Sequence, residues 1–425
     1  MTLKKMSLCV MVMTSLLGLS ACGSDKSQEK ASHSESKDGK VTISYAIWDS
    51  GQEPGIRKIA DKFEEKNPKI KVDIQVVTWD NYWTMLEAGA TGGSLPDTFW
   101  MHSNEIYRYG SNDMLLNLDD KIKDSKDVEL SHYPKGLTAI YNIKGHQYAV
   151  PKDFDTIGLW YNKKMFDATG IAYPDNTWDW NKLKETAKQL TKADGSQYGF
   201  LAPLINQAGY YNFVYQNGGT IITKDKKSGY DDPKTIEALK FYTSFVDEKL
   251  SPRVTDDKGA IEAVENGQVA MGYFGSWNLS TFVNSDYLRD NFDVAVLPKG
   301  VKQASLYNGL GNAISKNTKH ADESWKWVEF LSSKEGQTMQ AELGVAISAY
   351  NGTADVWVKS HQNFNTKAFI DMLDYAQIRP YSNATTKWED KAYEGLKPAY
   401  MGHENIEDAA KKTAKMMNEE IAKEK

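Results

Sequence analysis

The sequence predicts an α/β fold divided between two bodies, and two observations support this fold class. First, residues 41–48 are rich in β-branched and aromatic side chains, apolar residues between 56 and 63 recur at helical spacing, and residues 70–77 alternate as a strand, which together make a βαβ unit. Second, helix and strand signals alternate again after Pro151, and 425 residues exceed the length of one typical domain.

The first βαβ unit indicates where a ligand would bind. Two parallel strands joined by a helix require a right-handed crossover, and ligands of such sheets gather at the carboxyl ends of the strands. The residues that follow the first strand are therefore predicted ligand contacts. They are Trp48, Asp49, Gln52 and Glu53.

The later elements continue the same pattern. A helix is predicted for residues 81–90 and a short strand for residues 97–101, with a glycine-rich break between them. After Pro151 the sequence predicts helices over residues 180–190, 233–248 and 261–266, and strands near residues 198–200 and 269–273.

The N-terminus has the order of a secretory signal. Lys4 and Lys5 precede an apolar run over residues 6–19, which is too short to span a bilayer, and Leu19-Ser20-Ala21-Cys22 follows. This Leu-x-Ala-Cys box resembles the bacterial lipobox, in which the cysteine is acylated and becomes the mature N-terminus. We therefore expect lipidation at Cys22 and anchoring to the outer face of the cell membrane. The alternative is a plain signal peptide with an incidental cysteine.

The segment after the lipobox cannot form a core. Residues 23–39 contain one alanine and no larger apolar side chain, so they are predicted to be disordered. We expect residues 1–21 to be a lipoprotein signal peptide and residues 22–40 to be a tether.

Composition excludes several classes of function. The second cysteine of the chain, Cys9, lies inside the predicted signal, so the mature chain would have no disulfide, no cysteine nucleophile and no cysteine metal site. Loss of the signal would leave 49 basic against 57 acidic residues, and the net charge would change from −6 to −8. An acidic chain without basic blocks is not expected to bind nucleic acid.

Several short motifs, in order along the mature chain, resemble those of extracellular solute-binding proteins of sugar importers, of the maltose-binding-protein type. The motifs include Leu95-Pro96-Asp97-Thr98-Phe99-Trp100, Tyr148-Ala149-Val150-Pro151, Asn266-Gly267-Gln268-Val269-Ala270-Met271 with Gly275-Ser276-Trp277, and Trp325-Lys326-Trp327-Val328-Glu329-Phe330-Leu331. No fragment is specific alone, but their order and spacing together are.

This resemblance implies a two-lobed periplasmic-binding-protein fold of type II. The N-terminal lobe would comprise residues 41–150 and 299–335, and the C-terminal lobe residues 151–298 and 336–425. The chain would cross between the lobes near Val150-Pro151, near Leu297-Pro298 and near Ser333 to Gly336. The implied function is that of a monomeric, non-enzymatic receptor without a cofactor, which captures a carbohydrate and delivers it to the permease subunits of an ABC importer.

A sugar site needs flat aromatic surface for the C–H face of the ring, and donors and acceptors for its hydroxyl groups. Trp277, next to Asn278 in a glycine-flanked turn, lies where the family places a stacking platform, although it could also be a core residue. Asp155 matches a family position where a carboxylate accepts sugar hydroxyls, whereas Asp153 could equally be a hinge or turn hydrogen-bond acceptor. Trp388 could stack on a ligand or pack inward from an amphipathic helix.

The remaining candidates are loop residues with polar or aromatic side chains. Gln207 stands where maltose binders carry glutamate, which puts maltose itself in doubt. The other candidates are His102, Asn104, Tyr210, Tyr211, Asn308 and Tyr350.

Two other functions compete with that of a sugar receptor. A polyamine receptor of the same fold would also combine carboxylates with aromatic rings. A secreted carbohydrate-active enzyme would need carboxylates on both sides of the scissile bond, and Asp153 and Asp155 both belong to one predicted strand end. A metal receptor is disfavoured because the seven histidines show no metal-ligand spacing.

Overall fold

The computed structural model describes residues 39–424. The predicted signal peptide, Cys22 and all but the last two residues of the predicted tether lie outside this range. The strands are β1 (Val41–Ile47), β2 (Ile70–Val76), β3 (Thr98–Met101), β4 (Asn142–Ile143), β5 (His146–Gln147), β6 (Ala149–Pro151), β7 (Asp155–Asn162), β8 (Met271–Gly275), β9 (Phe292–Ala295), β10 (Leu306–Asn308), β11 (Gly311–Ile314) and β12 (Gln377–Ile378).

Helices connect and cover these strands. The α-helices are α1 (Glu53–Lys66), α2 (Trp79–Gly92), α3 (Ile106–Ser111), α4 (Asp119–Asp124), α5 (Lys135–Ile140), α6 (Lys163–Thr169), α7 (Trp180–Leu190), α8 (Tyr211–Gln216), α9 (Pro233–Asp247), α10 (Asp257–Glu265), α11 (Leu279–Asn284), α12 (Asp286–Asn291), α13 (Ala321–Ser332), α14 (Lys334–Glu342), α15 (Ala354–Ser360), α16 (Lys367–Asp371), α17 (Thr385–Tyr400) and α18 (Ile406–Ile421).

The first body is built on a five-stranded sheet in the order β2-β1-β3-β11-β6. Strand β1 pairs in parallel with β2 and β3, whereas β11 runs antiparallel to β3 and β6. Alternation along β1 sends Ile43, Tyr45 and Ile47 to one face, where they pack with Ile56 and Phe63 of α1. The predicted βαβ unit is therefore present, and the carboxyl ends of β1 and β3 lie side by side.

The second body is built on a sheet in the order β12-β10-β7-β8, with β9 also paired to β7. Strand β7 is the centre of this sheet and seven of its eight residues are buried. Helix α9 begins at Pro233, after Asp232 accepts hydrogen bonds from two backbone amides of its first turn. The two sheets with their covering helices make a two-lobed α/β fold.

The chain passes between the sheets at three places, and two of them differ from the prediction. The first passage lies between β6 and β7. The second is not near Leu297-Pro298, because β10 still pairs with β7, and it falls instead at Gly309-Leu310 between β10 and β11. Residues 306–308 thus belong to the second sheet, and Lys299, which makes a bridge with Asp179, lies with the second body.

The third passage also comes later than predicted. Helix α14, which begins at Lys334, packs on α1 and α13 of the first body, so the chain has not left that body at Ser333 to Gly336. It leaves after Ser348, which pairs with Asp153, and before α16, which packs on β7.

Most predicted helices and strands are present within a few residues of their expected bounds, and α7 has the predicted bounds. Residues 198–200 are an exception, because Tyr198 makes only an isolated bridge with Val269 instead of a strand. In the part of the chain that the structure describes, no helix has the length and apolar character needed to cross a membrane.

Candidate functional site

A group of aromatic rings lies at the carboxyl ends of β1 and β3. The ring of Trp48 packs edge-on against Trp79 and Trp100, with centroids 5.0 Å apart in both pairs, and lies 5.9 Å from Trp83. We call Trp48, Trp79, Trp83 and Trp100 the aromatic patch. Trp100 is fully buried, whereas Trp79 is 42% exposed. The patch therefore has a packed base and an open surface that could stack on a ligand.

The carboxylate of Asp49 stabilises the turn after β1. Asp49 accepts hydrogen bonds from the Gly51 amide at 2.8 Å and from Gln52 Nε2 at 2.8 Å. A Cβ on Gly51 would lie 2.7 Å from Ser280 Oγ of the second body, so a glycine is needed where the two bodies approach each other. Glu53 follows as the first residue of α1.

A buried ion pair lies at the first passage between the bodies. Lys152 Nζ is 2.6 Å from Asp153 Oδ2, and both side chains are less than a tenth exposed. The ammonium also donates to Gln52 Oε1 at 3.1 Å and lies 4.2 Å above the Trp100 ring. The second oxygen of Asp153 accepts from the Leu310 amide at 2.8 Å. Of the two roles predicted for Asp153, these contacts are those of a hinge acceptor.

Asp155, two residues further on, is the first residue of β7 and lies beside Asn308, which His102 of the first body contacts. Its Oδ1 accepts a hydrogen bond from Gln207 Nε2 at 2.8 Å, and Asn308 is its partner across β7 and β10. Burial raises the pKa of Asp155 to about 8, the charge of Asp153 adds to this, and Arg379 and Gln207 oppose it. The carboxyl group is thus poised between its protonated and ionised forms near neutral pH.

His102 reaches Asn308 from the first body. Its Nε2 is 3.2 Å from Asn308 Nδ2, and its Nδ1 is 2.5 Å from Asn104 Oδ1. Burial and the nearby Arg379 charge lower the pKa of His102 to about 3, so the ring is neutral. A neutral ring has one donor and one acceptor nitrogen. The Asn104 backbone amide also points at Nδ1, at 3.3 Å, but the contact with Asn104 Oδ1 is much shorter, and Oδ1 can only accept. We therefore assign the proton to Nδ1, so that Nε2 accepts from Asn308.

Arg379 and Glu389 form a second buried ion pair, in the second body. Arg379 Nη2 lies 2.6 Å and 2.8 Å from the two oxygens of Glu389, and the side chains are only 4% and 10% exposed. The Tyr211 hydroxyl donates to Glu389 Oε1 at 3.3 Å. The carboxylate of Glu389 is therefore held in one orientation by partners behind it.

Among the described residues, a cavity of about 420 Å³ opens between the two bodies. The first body contributes Trp79, Trp83, Asn104 and Glu105. Across the cavity, Thr386 Oγ1 donates to Glu105 Oε1 at 2.9 Å. The second body contributes Leu204, Ile205, Asn206, Tyr210, Thr255, Asp256, Asp257, Thr386, Glu389, Asp390 and Tyr393.

Local backbone geometry brings Gln207 and Tyr210 to this region. Both belong to the segment Asn206–Tyr210, which precedes α8 and is kinked at Gly209. Gly209 within it has φ and ψ of −121°, which are not helical values. The kink separates the direction of Gln207 from that of α8.

Two predicted contacts, Trp388 and Tyr211, are fully buried in the second body. Trp388 is fully buried, and its Nε1 donates to Ser382 Oγ at 2.8 Å, so it packs inward from α17 and cannot stack on a ligand. Tyr211 is also fully buried, and its hydroxyl donates to Glu389, which lines the cavity, so its contact with a ligand stays a prediction.

Two other predicted aromatic residues have different surroundings. Tyr350 is half-buried, and its hydroxyl lies 3.0 Å from His132 Nδ1 in the first body. Trp277 is half-buried and lies over Gly275. With Asn278 it belongs to the short turn Ser276–Asn278, which leads to Ser280 opposite Gly51. Trp277 therefore lies near a point where the two bodies meet.

Of the residues that line the cavity, only Asn104 and Tyr210 were predicted from the sequence, and the others were missed, among them Trp79, Trp83 and Glu389. Arg379, which holds Glu389, was missed as well. Trp79 could have been found, because it opens the helix directly after β2, whose carboxyl end lies beside that of β1. No motif marks Arg379 or Glu389. Within residues 39–424 no three His, Cys, Asp or Glu side chains are grouped so that they could hold a metal ion.

Comparison with known proteins agrees with this architecture. The family model described as bacterial extracellular solute-binding protein matches residues 49–338. A putative binding protein of Brucella abortus is 25% identical over 379 residues, which are 86% of this chain and 89% of that protein. A maltooligosaccharide ABC transporter solute-binding lipoprotein of Streptococcus pneumoniae is 23% identical over 95% of this chain and 94% of that protein.

Solved structures share the fold. An ABC substrate-binding protein of Listeria monocytogenes in complex with cycloalternan superposes with a TM-score of 0.83, at 24% identity over 90% of this chain and 99% of that one. A receptor of Streptomyces glaucescens, solved unliganded and in complex with acarbose, gives a TM-score of 0.81 at 22% identity, over 90% and 99% of the two chains.

Proposed function

The chain belongs to the bacterial extracellular solute-binding protein family, and we propose that its solute is a carbohydrate, bound between the two bodies and delivered to the permease of an ABC importer. The observation that carries the proposal is the cavity between the bodies, with tryptophan rings on one wall and fixed acceptors on the other. Relatives whose names specify maltooligosaccharide and multiple sugars point to the same class of ligand.

The chemistry of the two walls suits a pyranose. Trp79 and Trp83 offer flat apolar surface for the C–H face of a sugar ring, and Trp79 is already exposed. Opposite them, Glu389 presents a carboxylate whose orientation is set by Arg379, so an acceptor for hydroxyl groups is in place before the ligand arrives. A ligand that touches both walls would favour the closed arrangement of the bodies.

A polyamine is the second candidate, and one observation favours it. Five carboxylates line the cavity, and no lysine, arginine or histidine is among the lining residues named above. The five are Glu105, Asp256, Asp257, Glu389 and Asp390. A lining of this kind attracts cations and repels anions, so the ligand is neutral or positive.

Calorimetry separates these candidates. The protein is titrated with a panel of neutral mono- and oligosaccharides and with spermidine, each at low and at high ionic strength. We expect a neutral sugar to bind with an affinity that changes little with salt, because a neutral ligand has no charge to screen. Binding of spermidine alone, with affinity that falls steeply as salt rises, would contradict the carbohydrate assignment.

The proposal includes anchoring of the protein at the cell membrane and binding of sugars without cleavage. Cys22 in its Leu-x-Ala-Cys context would carry the lipid that holds a monomeric receptor at the outer face of the cell membrane. The family consists of binding proteins, and we expect this chain to release every oligosaccharide of the panel uncleaved. Chromatography of the sugars after prolonged incubation tests this, and shortened products would contradict it.

A further inference from the structure

Three polar side chains form a row across neighbouring strands of the second sheet. Asn308, the last residue of β10, is the register partner of Asp155 at the start of β7. On the other side of β10, Tyr307 pairs with Ile378, and the Arg379 amide donates to the Tyr307 carbonyl at 2.9 Å. Continuing that register places Arg379 next to Asn308. Partners in register point to the same face of a sheet, so we call Asp155, Asn308 and Arg379 the polar row.

The polar row has hydrogen-bonding groups that no protein atom uses. Arg379 binds Glu389 through Nη2 alone, while its Nε and Nη1 are buried without a partner. Oδ1 of Asn308 is likewise buried and unpartnered. Arg379 is 4% exposed and Asn308 is fully buried. Buried polar atoms of this kind are nearly always hydrogen-bonded, so the row has two donor groups and one acceptor to offer a partner.

The contact with His102 of the first body fixes the orientation of the Asn308 side-chain amide. Because His102 is neutral and donates from Nδ1 to Asn104, its Nε2 accepts the amide hydrogen of Asn308. The Asn308 oxygen is thereby turned away from His102. Since His102 belongs to the other body, separating the bodies would uncover the row, and closing them would set its donor and acceptor pattern.

The free donors of Arg379 and the free acceptor of Asn308 together fit hydroxyl groups. Two neighbouring hydroxyl groups can accept from the free donors of Arg379 and donate to Asn308 Oδ1, one beside each side chain, whereas a carboxylate or phosphate cannot donate and would face the Glu389 carboxylate. An ammonium ion cannot accept and would face the guanidinium. We propose that Arg379 and Asn308 form a specificity subsite for two adjacent hydroxyl groups on one edge of a neutral sugar ring. This inference rests on the proposed carbohydrate function and narrows it.

The first measurement uses the wild-type protein and therefore does not depend on a variant that folds. An array of neutral, uronate-bearing and amine-bearing glycans identifies the tightest glycan, and calorimetry then compares it with its monodeoxy analogues. If the tightest glycan is neutral, removal of either of two adjacent hydroxyls should weaken binding about tenfold or more. The subsite is overturned if no single hydroxyl matters by more than about threefold, or if the tightest glycan bears a uronate or an amine.

The second measurement assigns the effect to Arg379. Arg379→Lys keeps a cation beside Glu389 but loses the fork of donors, so affinity should fall about tenfold and one of the sensitive hydroxyls should no longer matter. Arg289→Lys, at an exposed ion pair of the same body, is the matched control and should bind as the wild type does. Unchanged binding by Arg379→Lys would overturn the subsite and leave the carbohydrate function standing. Wild-type protein that binds no glycan on the array would overturn that function, and the subsite with it.

Discussion

Replacing Asp155 with asparagine should remove part of the pH dependence of the protein's stability. Asp155 has a pKa raised to about 8, chiefly by burial and then by the charge of Asp153. Asparagine has nearly the same shape, and its side-chain oxygen can still accept the hydrogen bond from Gln207. The substitution therefore removes the titration while keeping the contact.

The direction of the pH effect on stability follows from the difference between the pKa of Asp155 in the folded protein and in the unfolded chain. In the unfolded chain the carboxyl ionises near its ordinary pKa of 3.8, so between that value and about 8 the folded protein holds a proton that the unfolded chain has lost. Stability contributed by this proton is present at low pH and is lost as the pH rises through the folded pKa. At about 1.4 kcal/mol per pH unit, the loss between pH 5 and pH 8 is about 4 kcal/mol.

The assay is urea denaturation followed by tryptophan fluorescence at pH 5 and at pH 8. The free energy of unfolding of the wild type should fall between these two values by about 4 kcal/mol more than that of Asp155→Asn. Asp175→Asn is the matched control, because hydrogen bonds to Thr177 lower the pKa of Asp175 and it stays ionised throughout this range. If the wild type and Asp155→Asn differ by less than about 1 kcal/mol, Asp155 is not buried beside Asp153 as described.

Three further substitutions test separate parts of the account. Trp79→Ala should weaken sugar binding about tenfold in calorimetry, whereas Tyr173→Ala, at an equally exposed aromatic of the second body, should leave binding unchanged; equal losses of affinity would remove Trp79 from the site. Cys22→Ser should move the protein from the membrane fraction to the soluble fraction, and retention on membranes would contradict lipidation. Lys152→Met leaves a buried carboxylate unpaired and should lower the free energy of unfolding by about 3–5 kcal/mol, so a loss below about 1 kcal/mol would contradict the hinge assignment.

The rule that ligands gather at the carboxyl ends of strands predicted residues next to the cavity, although their contact with a ligand stays a prediction. Trp48 and Asp49 follow β1, and Trp48 packs against Trp79 and Trp83, which line the cavity. His102 follows β3 in the same way. These residues could be predicted because their positions depend on local pattern and on the parallel pairing of β1 with its neighbours. Asp155, at the start of β7, was predicted from the family resemblance instead.

On helix α17, Trp388 is buried in the core whereas its neighbour Glu389 lines the cavity. The sequence drew attention to Trp388 as a large aromatic, yet its neighbour Glu389 lines the cavity. Consecutive helical residues point about 100° apart, so the two cannot share a face. Trp388, Ala392, Leu396 and other buried residues form an inward stripe at helical spacing, and that stripe indicated the core position of Trp388 in advance.

Arg379 could not be found from local pattern. It follows β12, which has only two residues, and it reaches the site because β12 pairs with β10, about seventy positions earlier in the chain. Pairing between two such short strands leaves no periodicity to detect. The same brevity explains the misplaced second passage, since β10 and β11 are separated by Gly309 and Leu310 alone.

A crystal structure of the protein grown with the tightest neutral glycan tests the central claim most directly. We expect a sugar ring between the two bodies, with its apolar face on Trp79 or Trp83 and its hydroxyl groups within hydrogen-bonding distance of Glu389 or the polar row. A glycan bound on the outer surface of either body, or a cavity that stays empty of sugar and takes spermidine instead, would contradict the account.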